Sequence, residues 1–186
     1  MLYWLLFEAY DLLCADPWLL PLNALGFLGL SLLKWHQAAP GQIWLFVAVT
    51  AGAYLIAAVL RARSDRWRPP VTLAAALAAA AIMLKLDHQW VALGLLIEAE
   101  LLYVAGLRLR APYLRYLAAS VFALEAGDLA LNLGQVAPAT WTPVAGLSAA
   151  AFYGNRALRA SDTVYGYAGA AMLALIAGFR APYADR

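Results

Sequence analysis

Residues 88–135 of this chain read HQWVALGLLIEAELLYVAGLRLRAPYLRYLAASVFALEAGDLALNLGQ. They form two apolar segments joined by the arginine-bearing bend GLRLRAPYLR. Each segment has about the 20 residues that a helix needs to cross a bilayer. The first contains Glu98 and Glu100 in its interior, and the second contains Glu125 and Asp128. The stretch therefore predicts a transmembrane helical hairpin that carries carboxyl groups within the membrane.

Two of these acids are expected at the same depth. Glu98 lies 13 residues before Ala111 in the bend, and Glu125 lies 14 residues after it. At a rise of about 1.5 Å per residue, both lie about 20 Å from the bend. Ionised acids are costly in hydrocarbon and repel at close range, so we expect at least one to be protonated or paired with a cation. Asp128 and Asn132 follow Glu125 at helical spacing and predict one polar face.

The composition of the whole chain agrees with a membrane location. It is 65% hydrophobic and 13% charged, with a mean hydropathy of +0.71, whereas soluble domains average about 45–50% apolar and about 25% charged residues. The net charge is only +2, which argues against nucleic acid as a partner. Cys14 is the only cysteine, so an internal disulfide and a cysteine-based metal cluster are excluded.

The apolar segments predict an all-α, polytopic transmembrane helix bundle in a single domain, 1–186. They number eight, or seven if the short first one does not cross: 1–14, 18–35, 42–61, 69–86, 88–108, 112–133, 139–158 and 163–180. The similar endings LLKWHQ and MLKLDHQW indicate a repeat of four tandem helical hairpins. The hairpins would cover about 1–35, 42–86, 88–133 and 139–180. Similarity of composition alone is the alternative explanation.

The basic residues predict the threading. Nine of the 13 basic residues lie in bends within the proposed hairpins: Arg61, Arg63, Arg66, Arg68, Arg108, Arg110, Arg115, Arg156 and Arg159. The positive-inside rule places these bends in the cytoplasm, at the inner membrane of a bacterium, with the C-terminus outward. The first seven of these arginines are also predicted to face anionic lipid or an acidic partner.

The candidate intramembrane polar cluster consists of Glu98, Glu125, Asp128 and Asn132, with Glu8 as the equivalent of Glu98 in the first hairpin. Intramembrane acids commonly form proton or cation pathways. The alternative is a hydrogen-bonded cluster that holds helices together. Transporters tend to interrupt helices near the membrane midplane, and the breaks here fall at segment ends, which favours the structural interpretation.

A second cluster lies at outward helix ends and consists of Lys34, His36, Lys85 and His88. The lysines are expected to extend to the interface or to pair with Asp87 or Asp128. A neutral histidine at position 36 or 88 could bind a metal or a tetrapyrrole. Histidines in membrane-edge loops are usually solvated, so no cofactor and no metal site is predicted.

Small residues and tryptophans complete the pattern. Small residues in three segments predict close approach between helices: Gly26, Gly29, Gly94, Gly106, Gly166, Gly169 and Ala170. The seven tryptophans all fall near segment ends, which is typical of the aromatic belt at the membrane interface.

The motif GLRLRAPYLRYLA at 106–118 and the ending LKL at 84–86 resemble the many-helix bacterial membrane proteins filed as domain of unknown function 2339. The resemblance implies a polytopic inner-membrane protein over most of the chain. It implies no catalytic residues and no activity.

No fingerprint of a hydrolase, a metalloprotease or a nucleotide-binding protein occurs in the sequence. We therefore expect a non-catalytic accessory or scaffold subunit, bound to other membrane proteins or to copies of itself. The alternative is a small proton- or cation-coupled transporter or channel that uses the intramembrane carboxylates. A third hypothesis is an enzyme acting on lipids through the outward helix ends.

Overall fold

The computed structural model describes residues 26, 29, 31, 33–35, 37, 40–63, 65–132, 138–159 and 162–180. Within these ranges the chain is helical or forms turns between helices, and no strand occurs. The predicted all-α fold is therefore confirmed for the described part of the chain. The predicted first segment lies outside the described residues, and of the second only single residues between 26 and 35 are described, all of them helical.

From residue 40 onward the described chain forms six α-helices, two of which follow single 3-10 turns at Pro40–Gln42 and Asp65–Trp67. The helices are α1 (Ile43–Leu60), α2 (Arg68–Lys85), α3 (His88–Arg108), α4 (Pro112–Leu131), α5 (Pro138–Leu158) and α6 (Thr163–Arg180). Each helix begins and ends within two residues of its predicted segment. Eight segments in four tandem hairpins remain a prediction.

The bend between α3 and α4 has a defined helix-ending geometry. Arg110 adopts a left-handed conformation, with φ 52°. The Arg110 N–H donates to the carbonyl of Leu107 at 3.3 Å, and the Ala111 N–H donates to the carbonyl of Gly106 at 2.9 Å. This pair of bonds is the Schellman motif, which satisfies the last carbonyls of a helix. Pro112 then begins α4, where its fixed φ suits a first turn.

Three of the described helices, α1, α2 and α3, are long and apolar enough to cross a membrane. A shorter apolar helix covers Thr163–Gly178 within α6. Many large apolar side chains of these helices are exposed, among them Leu60 at 80% and Leu101 at 67%. A protein surface of this kind suits a hydrocarbon environment, so the chain is suggested to associate with a membrane.

The chain divides into two compact units, an N-terminal unit that ends at Leu84 and a C-terminal unit that begins at Lys85. In the N-terminal unit, Tyr54 of α1 and Ala74 of α2 form a buried core. Phe46 of α1 packs against this core, and its ring stacks on Trp35 at a centroid distance of 5.5 Å. The small alanine side chains of α2 allow α1 and α2 to pack closely at this core, because they add little bulk between the helices.

In the C-terminal unit, α3 packs along α4, α5 packs along α6, and α5 also contacts α3. Gly106 permits the first pairing, since a Cβ atom there would lie 2.7 Å from Cγ of Arg115. Gly169 permits the second, since a Cβ atom there would lie 3.0 Å from the ring of Tyr153. The predicted close approach is thus observed at these two glycines, whereas a Cβ atom at Gly26 or Gly29 would have nothing within 4 Å.

Three features of the described residues differ from the sequence predictions. Trp141 is 2% exposed and donates its indole N–H to the carbonyl of Leu129 at 3.0 Å, so it lies inside the C-terminal unit rather than in a surface belt. Pro143 lies within α5, so not every break falls at a segment end. Arg61, the residue that follows α1, is buried at 6% exposure and does not face lipid or solvent as predicted.

Candidate functional site

The most deeply buried acid of the described chain is bonded to a neighbouring helix. Glu125 of α4 and Ser148 of α5 are both 0% exposed. Oε1 of Glu125 and Oγ of Ser148 form a hydrogen bond, and Ser148 Oγ also donates to the carbonyl of Val144 at 3.0 Å. Oε2 of Glu125 has no hydrogen-bond partner. The acid therefore joins α4 to α5 through a single oxygen.

The Ser148 hydroxyl contacts oxygens on two helices. A serine hydroxyl has one hydrogen to donate and two lone pairs that accept. Ser148 contacts two oxygens, one on Glu125 and one on the backbone of Val144. The single hydrogen serves both oxygens as a three-centre bond, or, when Glu125 is protonated, Ser148 donates to Val144 and accepts from Glu125. Either arrangement gives the carboxyl group a polar partner inside an apolar bundle.

Glu98 of α3 has a different environment. Its side chain is half-buried, and neither of its carboxyl oxygens has a hydrogen-bond partner. Glu125 instead bonds to Ser148. The hydrogen-bond partner of Glu125 therefore lies on α5 rather than on α3. A carboxyl group with both oxygens enclosed and unpartnered is unusual in a folded protein.

The remaining predicted members of the polar cluster lie at the end of α4. The amide of Asn132 donates to Oδ1 of Asp128 at 2.9 Å. Asp128 is half-buried and within electrostatic reach of His88, the first residue of α3. His88 itself is exposed. The proximity of Asp128 to His88 fits an antiparallel pairing of α3 and α4.

A second group of polar side chains joins α3 to α5. The amide of Asn155 donates to Oε1 of Glu100 at 2.8 Å. The Tyr103 hydroxyl lies 3.0 Å from the carbonyl of Asn155 and 3.3 Å from Oδ2 of Asp162. Tyr103 is 0% exposed and Asn155 is 2% exposed. α3 is therefore held against α5 by buried polar bonds.

Asp162, in the bend between α5 and α6, is shared by two cations. Nη1 of Arg115 lies 3.3 Å from Oδ2 of Asp162, and Nε of Arg159 lies 3.4 Å from its Oδ1. The side chain of Arg115 is 15% exposed, whereas that of Arg159 is 46% exposed. The start of α4 is thus tied to the α5–α6 bend by an ion pair.

Together these side chains form what we call the interhelical polar network of the C-terminal unit. Its members are Glu100, Tyr103, Arg115, Glu125, Ser148, Asn155 and Asp162. Of these, Glu100 and Glu125 were predicted from the sequence as intramembrane acids, and Arg115 was predicted as a basic bend residue. A signal for two others was present, because Ser148 and Asn155 are spaced i, i+7 and share one face of α5.

The other predicted site residues are scattered. Lys34, Lys85 and His88 are exposed, as are Arg63, Arg66, Arg68, Arg108 and Arg110. Glu8 and His36 lie outside the described residues. Arg61 is buried, and Arg115 and Arg159 both pair with Asp162.

Within the described ranges, no group of three or more His, Cys, Asp or Glu side chains could hold a metal ion. Comparison of the chain with models of protein families, with curated proteins and with solved structures finds no match. The resemblance to domain of unknown function 2339 remains a prediction.

Proposed function

We propose that this chain is a non-catalytic integral membrane protein that serves as an accessory or scaffold subunit of a larger membrane protein complex. The observation that carries the proposal is that buried polar side chains of the C-terminal unit bond to one another across α3, α4 and α5. Groups engaged in this way hold helices together, and they offer no reactive arrangement to a substrate.

The exposed side chains support the same proposal. Ile97 of α3, Leu131 of α4 and Tyr167 of α6 are 54%, 79% and 77% exposed. Large apolar surfaces on a folded protein mark contact with lipid or with another protein. The partners are therefore the lipid bilayer and other membrane subunits or copies of this chain.

The proposed location is the inner membrane of a bacterium, crossed by eight segments that form four tandem hairpins. The basic bends face the cytoplasm and the C-terminus faces outward. Support comes from the three helices that are apolar enough to span. α4 has 20 residues and is about 30 Å long, which matches the hydrocarbon thickness of a bilayer.

Glu98 favours a second candidate function, a small proton- or cation-coupled transporter or channel. Both of its carboxyl oxygens are enclosed and lack hydrogen-bond partners. An unpartnered acid within a candidate membrane span is the type of group that relays protons or binds a cation in transit.

Purification from the native cells in a mild detergent tests the first proposal. Other membrane proteins, or further copies of the chain, should remain bound in a fixed ratio. The variant Glu98→Gln should keep that ratio, because Glu98 makes no hydrogen bond that holds the helices. A chain that purifies alone as a monomer contradicts the scaffold proposal.

Reconstitution tests the second candidate. Vesicles that contain only this protein should show no proton or cation flux if it is a scaffold. Flux in these vesicles would instead support transport. If Glu98→Gln abolishes the flux and Glu100→Gln does not, the pathway includes Glu98.

A further inference from the structure

A cavity of about 480 Å³ lies between α4 and α6 in the C-terminal unit. Its lining residues on α4 recur at helical spacing from Pro112 to Ala126 and so form one continuous face. Phe152 of α5 and Tyr165 of α6 close its inner side. We call this cavity the α4–α6 groove. Its volume falls within the range of about 300–1,000 Å³ that is usual for small-molecule sites.

The two ends of the groove differ in chemistry. Arg115, Arg159 and Asp162 line one end and are the only charged side chains of its lining. Two cations meet one carboxylate there, at 3.3 and 3.4 Å, which leaves a net charge of +1. Guanidinium groups match the geometry of phosphate and carboxylate ligands. This end therefore favours an anionic group.

The rest of the groove is mainly apolar, although the hydroxyl-bearing side chains Tyr116, Thr163 and Tyr165 also line it. Ala119, Ala123 and Ala126 line it on α4, and Ala168 lines it on α6. The ring of Phe122 forms its floor, with the rings of Phe152 and Tyr165 at centroid distances of 5.1 and 5.5 Å. Ala119 and Ala123 are exposed, so the groove opens along its side. A hydrocarbon chain can enter it from the surrounding lipid.

The length of the groove matches one leaflet. Ala126 follows Arg115 by 11 residues, a distance of about 16 Å along a helix. Half of a hydrocarbon core about 30 Å thick is about 15 Å. An anionic group at Arg115 would thus place its attached chain across the apolar half of a single leaflet.

The charged end and the leaflet-length apolar face of the groove together indicate its occupant. We propose that the α4–α6 groove binds one acyl chain of an anionic phospholipid, with Arg115 and Arg159 on its phosphate. The proposal rests on the membrane location given above and is independent of the scaffold role.

Native mass spectrometry of the purified protein tests the proposal. Dioleoyl phosphatidylglycerol and dioleoyl phosphatidylcholine, which differ only in the headgroup, are titrated separately into the detergent solution. We expect one phosphatidylglycerol to be retained at concentrations where phosphatidylcholine is not. Equal retention of both lipids overturns the proposal. Displacement of phosphatidylglycerol by inorganic phosphate also overturns it, because the site would then hold a free anion without the chain.

Charge variants locate the headgroup. Arg115→Gln combined with Arg159→Gln should weaken retention of phosphatidylglycerol about 25-fold, from about fivefold per arginine. The matched control removes two exposed arginines that do not line the groove, Arg108→Gln with Arg110→Gln. The total charge changes equally, so an equal loss in the control indicates general attraction and contradicts a site. Arg159→Gln alone keeps the proposal testable if the double variant does not fold.

Filling variants locate the chain. Ala123→Phe places a ring in the groove at an exposed position, so folding should persist, and retention of phosphatidylglycerol should fall at least tenfold. Leu124→Phe adds a ring at the next position of α4, outside the groove, and should leave retention unchanged. Equal behaviour of these variants overturns the proposal. A change of oligomeric state with Ala123→Phe also overturns it and assigns the groove to a second copy.

Discussion

Glu125 on α4 and Ser148 on α5 are hydrogen-bonded at a point where neither side chain meets solvent. The pair lies inside both helices, six residues before the end of α4 and ten residues after the start of α5. An acid at that position therefore contributes to the packing of the bundle. Its second oxygen, which has no partner, makes the pair sensitive to any loss of the first bond.

Removal of the serine hydroxyl should destabilise the bundle. We expect Ser148→Ala to lower the free energy of unfolding by about 1–2 kcal/mol, because a buried carboxyl group then lacks its partner. Ser120 is the matched control, since it is exposed and bonds only to the carbonyl of Tyr116 in its own helix, at 3.1 Å. Ser120→Ala should change stability by less than about 0.5 kcal/mol. Denaturant titration in detergent measures both, and equal losses would argue against the interhelical bond.

Reversal of a hydrogen bond should rescue a damaging variant at the contact of Glu100 with Asn155. Asn155→Asp alone sets two carboxyl groups against each other where an amide donated at 2.8 Å. We expect a loss of about 1.5–3 kcal/mol. The additional change Glu100→Gln restores a donor and an acceptor in the opposite direction, so the double variant should recover most of the stability. A double variant no more stable than Asn155→Asp would show that the contact contributes little.

The Tyr103 hydroxyl should contribute to stability apart from its ring. Tyr103→Phe removes the bond to the Asn155 carbonyl and the contact with Asp162, while the ring keeps its edge contact with Tyr165 at 5.2 Å. We expect a loss of about 1–2 kcal/mol in the free energy of unfolding. Tyr167 is 77% exposed, so Tyr167→Phe serves as the control and should be neutral. The prediction fails if thermal unfolding in detergent gives the same midpoint for both variants.

Close packing at the α3–α4 bend should make Gly106 intolerant of a side chain. In Gly106→Ala the new Cβ atom would lie 2.7 Å from Cγ of Arg115, and such overpacking costs about 1–3 kcal/mol. Gly127 of α4 has nothing within 4 Å of the corresponding position. Gly127→Ala should therefore be neutral or stabilise by up to about 1 kcal/mol through helix propensity. The unfolding midpoint of Gly106→Ala should lie below that of Gly127→Ala, and the reverse order would contradict the prediction.

Labelling of single cysteines tests the proposed threading. In a Cys14→Ser background, Leu109→Cys and Leu131→Cys place thiols at exposed positions, 71% and 79%, at opposite ends of α4. A membrane-impermeant reagent added to intact cells should label position 131 and spare position 109. Inverted vesicles should give the opposite result. Labelling of both positions from one side would mean that α4 does not cross the membrane.

Helix positions were predictable from this sequence because their determinants are local. The bounds of α3, His88–Arg108, coincide with the predicted segment, since Pro112 ends what precedes it and the arginines lie in the bend. The bounds of α6, Thr163–Arg180, also coincide with its segment. Apolar length and proline placement suffice for such boundaries, because neither depends on distant parts of the chain.

Partner choice was not predictable in the same way. Glu98 and Glu125 lie at equal distances from the bend, yet Glu125 bonds to Ser148 on α5. Distance along a helix gives depth, whereas the rotation of each helix about its axis decides which side chains meet. That rotation depends on packing, such as the approach of Gly106 to Arg115. Trp141 was misassigned for the same reason, because a position near a helix end does not reveal which face is buried.

The separation in sequence between the acids and their partners has a consequence for biosynthesis. Ser148 follows Glu125 by 23 residues, and Asn155 follows Glu100 by 55. A ribosome adds about 5–20 residues per second, so both carboxyl groups emerge seconds before the helix that covers them. The nascent α3–α4 pair must therefore be held by the insertion machinery until α5 arrives. A chain that terminates early, before residue 138, would leave these acids uncovered and become a substrate for membrane quality control.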